Sequence, residues 1–143
     1  MKFELIIDSN CEEKIIAQVH SASDLTMRIE NLVLSYCGAD EINVSGDYEL
    51  LRIKYSDISY ISIIDRKLFV YDKDGKEYRA NGTLSDIEKK LPNYFMRINK
   101  STIANERYIS SYRTTYSGGI DAHFKCGRRE YVSRRCFAEI KRR

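Results

Sequence analysis

The chain has very little of what most function classes require. No apolar run approaches the roughly 20 residues that cross a bilayer as a helix. The opening "MKFELIIDSN" is a short apolar run followed by acids, which is not a secretory signal, so a cytoplasmic protein is expected. There is one proline, Pro92, and no repeat, low-complexity tract or proline-rich linker to mark a string of modules. The four cysteines, Cys11, Cys37, Cys126 and Cys136, form no CxxC pair. They read as reduced, mostly buried thiols, and His123, Cys126 and Cys136 lack the fourth ligand of a usual zinc site. No phosphate loop, GxSxG or HExxH is present, and the two histidines, His20 and His123, are far apart. Enzyme chemistry, a metal, a cofactor and a small-molecule substrate are therefore not expected.

What is present is one domain's length, 143 residues, with 43% hydrophobic and 31% charged side chains. The net charge of +3 conceals an uneven distribution. Residues 97–143 hold 12 Lys/Arg against Glu106, Asp121, Glu130 and Glu139, a balance of +8 that leaves −5 for residues 1–96. A basic half on an acidic chain points to a polyanionic partner; a solvated basic face is the alternative.

The periodicity changes along the chain. "KFELIID" alternates like a strand. Between Glu12 and Tyr36, apolar residues recur at three and four (Ile15, Ile16, Val19, Ala22, Leu25, Ile29, Leu32, Val33), which predicts one long helix or two short ones, with Ser23 able to cap the second. Gly38 in "CGAD" reads as the helix stop. From Glu41 the period is two. Hairpins are predicted at Gly46-Asp47 and Asp74-Gly75, and "ISYISIID" reads as a strand. "NGTLSDIEKKLPNYF" reads as a helix, capped by Ser85 with Glu88 completing a capping box and Pro92 closing it. Short strands follow, with turns at Asn105-Glu106, Gly118-Gly119 and Gly127, and "RRCFAEIKRR" reads as a last helical turn.

Cations and polar residues gather where these strands should end: Asp65-Arg66-Lys67, Arg97 to Ser101, Arg128-Arg129 and Ser133-Arg134-Arg135. Arginine can hydrogen-bond guanine with two parallel bonds or pair with phosphate. Asparagine can read adenine, and lysine and serine can hold phosphates. Arg97 can equally pair with an acid such as Asp57 or Asp86, and Asn105 suits a turn by bonding its own backbone.

In this order the segments "YSDISYISIIDRKLFVY", "GTLSDIEKKLPNYFMRI", "NKSTIANERYI" and "GRREYVSRRCFAEIK" resemble the LytTR DNA-binding domain of bacterial transcription regulators. The family pattern falls on Phe95, Arg97, Asn99-Lys100-Ser101, Asn105 and Ile109, then on Val132-Ser133-Arg134-Arg135. The resemblance implies a mainly β fold with some α: an elongated antiparallel β-sandwich with a short helix, preceded by a strand-helix segment. It divides the chain into residues 1–42, for dimerisation or partner binding, and a DNA-binding domain at 43–143. It implies that double-stranded DNA is read by loops, with base-reading positions at Arg66, at Lys100 beside Asn99, and at Arg135. Lys67, Arg97, Ser101 and Arg134 join them as DNA-binding candidates. The family often has histidine where Asn99 stands, so a base preference is not carried over. About forty leading residues are too few for a receiver domain, which takes ~100 or more. The chain is thus similar to short stand-alone regulators, some of which are restrained by a small membrane protein, and a homodimer is expected. The alternative reading is a protein-interaction module whose basic face binds an acidic partner or a membrane surface. Non-specific RNA binding by exposed tyrosines is a third.

Overall fold

The computed structural model describes residues 1–36 and 40–143, so Cys37 and the helix stop expected at Gly38 lie outside the described residues. Helix α1 spans Asp24–Tyr36. Ten strands follow: β1 Glu41–Ser45, β2 Leu50–Lys54, β3 Ile58–Ile64, β4 Lys67–Asp72, β5 Glu77–Ala80, β6 Phe95–Asn99, β7 Thr102–Asn105, β8 Ile109–Thr114, β9 Ile120–Phe124 and β10 Arg129–Val132. Helix α2 (Leu84–Lys90) interrupts them after β5, and α3 (Arg134–Lys141) ends the chain. All described pairings are antiparallel. Seven strands form one sheet in the order β2-β1-β5-β4-β3-β7-β6, and three form a second in the order β10-β9-β8.

Period-two patterning assigns the two faces of the large sheet. Along β4, Leu68 and Val70 turn to one core with Met27 of α1 and Leu84 and Ile87 of α2. Tyr71, with Phe69 at the margin, turns to a second core shared with Ala122, Phe124 and Val132 of the small sheet. Tyr60 joins the layers: its ring stacks on Tyr71 at 4.3 Å and on Phe124 at 4.5 Å. Such aromatic pairs add about 0.5–1.5 kcal/mol beyond the area they bury.

Several sequence expectations are corrected. The expected strand at "KFELIID" is absent: residues 1–22 carry no helix or strand and are exposed. A strand needs a neighbour for its backbone groups, and this segment has none. Of the one long or two short helices expected from Glu12, only the second short one forms, beginning at Asp24 after Ser23, which donates its N–H to Thr26 Oγ1 at 2.9 Å. The cap of α2 is Thr83, whose Oγ1 accepts from Asp86 N at 3.2 Å, and not Ser85. Leu84 and Ile87 both pack on the first core, and the helix starts at Leu84 with the extended Thr83 before it at the cap. The last helical turn is a two-turn helix, because Cys136, Phe137 and Ile140 pack on the second core. Cys11 is exposed, and Cys126 and Cys136 are half-buried free thiols, against the expectation of mostly buried ones.

Candidate nucleic-acid interface

Three segments carry the cations singled out by sequence, and each is shaped by its own local chemistry. The first is the β3–β4 turn. Ile64 pairs with Lys67, so Asp65 and Arg66 alone make the turn. Both have positive φ, 52° and 65°. Positive φ at both central residues defines the type I′ turn, which follows strand twist but favours Asn-Gly. An arginine there is held in a left-handed conformation costing about 1 kcal/mol or more. Arg66 and Lys67 are exposed at its tip.

The second is the β6–β7 turn. Phe95 and Ile98 are buried and fix the strand. Arg97 pairs with Glu88 of α2, Nε to Oε2 at 2.8 Å, and not with Asp57 or Asp86. Its Nη1 also donates to the Lys100 carbonyl at 2.6 Å, closing the turn from beneath. Asn99 is engaged at both ends of its amide: Nδ2 donates to Tyr131 O at 2.6 Å, and Oδ1 accepts from Ser101 N at 2.7 Å. Lys100 is left exposed at the tip.

The third is the β10–α3 junction. Ser133 caps α3, its Oγ accepting from Cys136 N at 3.2 Å. Arg134 and Arg135 occupy the first helical positions and are exposed, with no acid in that turn. Two cations at the positive end of a helix dipole repel it, and an anion placed there relieves both. Arg135 approaches Glu139 only at 3.9 Å and is 91% exposed, so this ion pair holds it weakly.

The three segments lie together at one end of the large sheet, joined by backbone bonds. Ile63 N donates to Ser101 O at 2.8 Å, tying the first turn to the second. Ser133 N donates to Ile98 O at 2.8 Å, tying the third to the second, and the Asn99–Tyr131 bond repeats that link. Arg66, Lys67, Lys100, Arg134 and Arg135 thus share one basic edge. Arg128 is elsewhere: its Nε donates to Gly75 O at 2.7 Å and its guanidinium covers the Tyr71 ring at 4.7 Å. Between the sheets, burial pushes the Tyr60 hydroxyl above its usual range and raises the Glu130 carboxyl, which the Tyr60 hydrogen bond and the Arg128 charge draw partly back. Asn105 is fully buried, donating to Ile58 O at 2.9 Å and accepting from Arg107 N at 3.0 Å, a structural residue as its turn chemistry implies. Sequence reading missed Glu88 as the brace of the second turn and Ser133 as a helix cap. The serine ahead of an apolar-periodic tail was the available signal for the latter.

A two-sheet antiparallel scaffold with basic turns gathered at one edge defines a β-scaffold nucleic-acid-binding domain. The LytTr DNA-binding domain model matches residues 48–143, and the chain belongs to the LytTR family. It is similar to an uncharacterised HTH-type transcriptional regulator of Staphylococcus aureus strain COL, 28% identical over 100% of this chain and 97% of the relative. A counterpart in strain MW2 is 27% identical over the same shares. A solved LytTr DNA-binding domain from Bacillus cereus shares the fold at a TM-score of 0.65, with 18% identity over 72% of this chain and 94% of that one. The helix-turn-helix in the relatives' names has no counterpart among the described residues. Among the described residues, α1, α2 and α3 are separated by strands and no two are joined by a short turn. No described helix is long and apolar enough to cross a membrane.

Proposed function

We propose that this chain is a sequence-specific regulator of transcription that reads double-stranded DNA with loops and not with a recognition helix. The observation that carries this reading is the joining of three basic tips into one edge by backbone hydrogen bonds, which fixes their spacing before DNA arrives. Arg66, Lys100 and Arg135 reach bases. Lys67, Ser101 and Arg134 hold phosphates. Arg97 and Asn99, engaged inside the protein, set the shape of the second tip and reach no base in this arrangement. The regulator acts as a homodimer whose contacts come from the exposed apolar residues of the N-terminal segment, a surface that a membrane-protein inhibitor would compete for.

Selection of bound duplexes from a random pool at near-physiological salt tests this. A recovered motif is expected, and Arg135→Ala should weaken binding to it by about 1–3 kcal/mol while relaxing preference at one base position. Binding without any motif, vanishing as salt rises, would instead favour the interaction-module reading.

A further inference from the structure

The large sheet is not evenly covered. The residues packed between the sheets come from β3, β4, β6 and β7, including Tyr60, Tyr71, Ile98 and Ala104, and none among the described residues comes from β5, β1 or β2. On that bare half lies a groove of about 460 Å³ lined by Asn43, Ser45, Leu50, Arg52, Arg79 and Asn81, together with the intervening Val44, Leu51 and Ala80 of the same strands. Strand register places its side chains in one row. Phe69 faces Arg79, Arg79 faces Ser45, and Asn43 faces Arg52, all on the face that Lys67 shares with Phe69.

The row is rich in hydrogen-bond donors and holds no carboxylate. Among the described residues, neither Arg52 nor Arg79 has an acid within ion-pairing distance. The guanidinium carbon of Arg79 lies 5.3 Å from the centre of the Phe69 ring, a contact worth about 0.5–1 kcal/mol at an exposed site that biases its charge toward the sheet. Two guanidiniums and two amides suit phosphate oxygens, while the Ser45 hydroxyl donates to Arg79 O at 3.5 Å. The row also begins where the reading edge stops. Lys67 adjoins the Arg66 tip, and β2 lies three strand spacings beyond β4, about 14 Å at ~4.8 Å each. That is about four base-pair rises of ~3.4 Å.

We infer that the Arg52–Arg79 groove binds the DNA backbone flanking the sequence read by the loops, extending the footprint by about four base pairs on one side. The inference rests on the DNA-reading assignment above. It makes the groove sequence-blind: it adds affinity and salt dependence and leaves base preference to the three tips.

The test uses the full chain, the selected duplex, and duplexes shortened stepwise from either end. The R52Q/R79Q double variant should bind about tenfold more weakly, by the same factor on preferred and scrambled duplexes. Its slope of log affinity against log salt should be shallower by about one to two. Wild type should lose affinity when one flank, and not the other, is trimmed, and the variant should ignore that trimming. R52K/R79K should restore the slope. Both positions are exposed, and an unchanged melting curve verifies the fold. A variant with wild-type slope and flank dependence, on a duplex that Arg135→Ala still weakens, would overturn the groove's role and leave the reading of DNA standing. Saturable binding of inorganic phosphate that the variant loses, with DNA binding unaltered, would make this a free-anion site and equally overturn it. Absence of any duplex preference in wild type would remove both.

Discussion

At the scale of the residue, the proposed role of Arg66 sets stability and binding in opposition. A positive φ of 65° suits glycine far better than arginine, yet the turn carries arginine at its exposed tip. Arg66→Gly should therefore raise stability by about 0.5–1 kcal/mol in denaturant unfolding while lowering affinity for the selected duplex. Loss of both, or a gain of both, would show that Arg66 serves the fold instead. Single residues also show how far the sequence could be read. Asn105 was legible because it answers to a local rule, turn chemistry, whereas Phe95 and Ile98, three residues apart and packed on opposite faces of the sheet, follow no simple alternation. Arg97 was only half legible. An acid partner was one of two equal readings, and the choice of Glu88 over Asp57 or Asp86 depends on how α2 packs, which no spacing encodes. The engagement of the Asn99 amide with Tyr131, thirty-two residues away, had no local signal at all.

At the scale of the element, legibility follows the range of the interactions that define it. The hairpins at Gly46-Asp47 and Asp74-Gly75 are set by short-range turn chemistry, and both form where expected. Helix α2 was legible in existence but not in its first residue, because a serine and a threonine compete for the cap. Thr83→Ala should consequently cost about 1 kcal/mol, and Ser85→Ala, already inside the helix, close to nothing. Equal costs in thermal unfolding would return the cap to Ser85. The N-terminal elements failed for a different reason. "KFELIID" and the run Ile15, Ile16, Val19 have the right periods, but periodicity yields a strand or helix only when a surface receives the apolar face. Helix α1 obtains that surface: Met27 enters the first core, Tyr94 donates its hydroxyl to Asn31 at 2.9 Å, and Arg107 pairs with Asp24 at 3.0 Å. Residues 1–22 do not.

At the scale of the whole molecule, exposed apolar side chains are scattered singly over the strands and turns, as at Leu50 and Tyr116, but recur along the start of the chain. Phe3, Ile6 and Ile7 are 77–88% exposed, and Ile15 and Ile16 are 65% and 71% exposed. Contiguous apolar exposure of this kind marks association, and a second copy presents the same segment to the same need. Two reading edges held together would then recognise two similar half-sites about one helical turn apart. Sedimentation of the full chain should accordingly show a dimer. Ile15→Asp with Ile16→Asp should shift it to monomer without changing the melting of the DNA-binding domain, since neither side chain touches either core. The same variant should lose affinity for a duplex carrying both half-sites far more than for a single half-site, because joining two modules makes the second contact intramolecular. A wild-type monomer at every concentration would sink the dimer. A wild-type dimer that survives the double substitution would move its contacts away from these residues, to α1 or an open strand edge. The half-site comparison separates the two proposed roles, base reading by the edge of the sheet and pairing of two copies by the N-terminal segment.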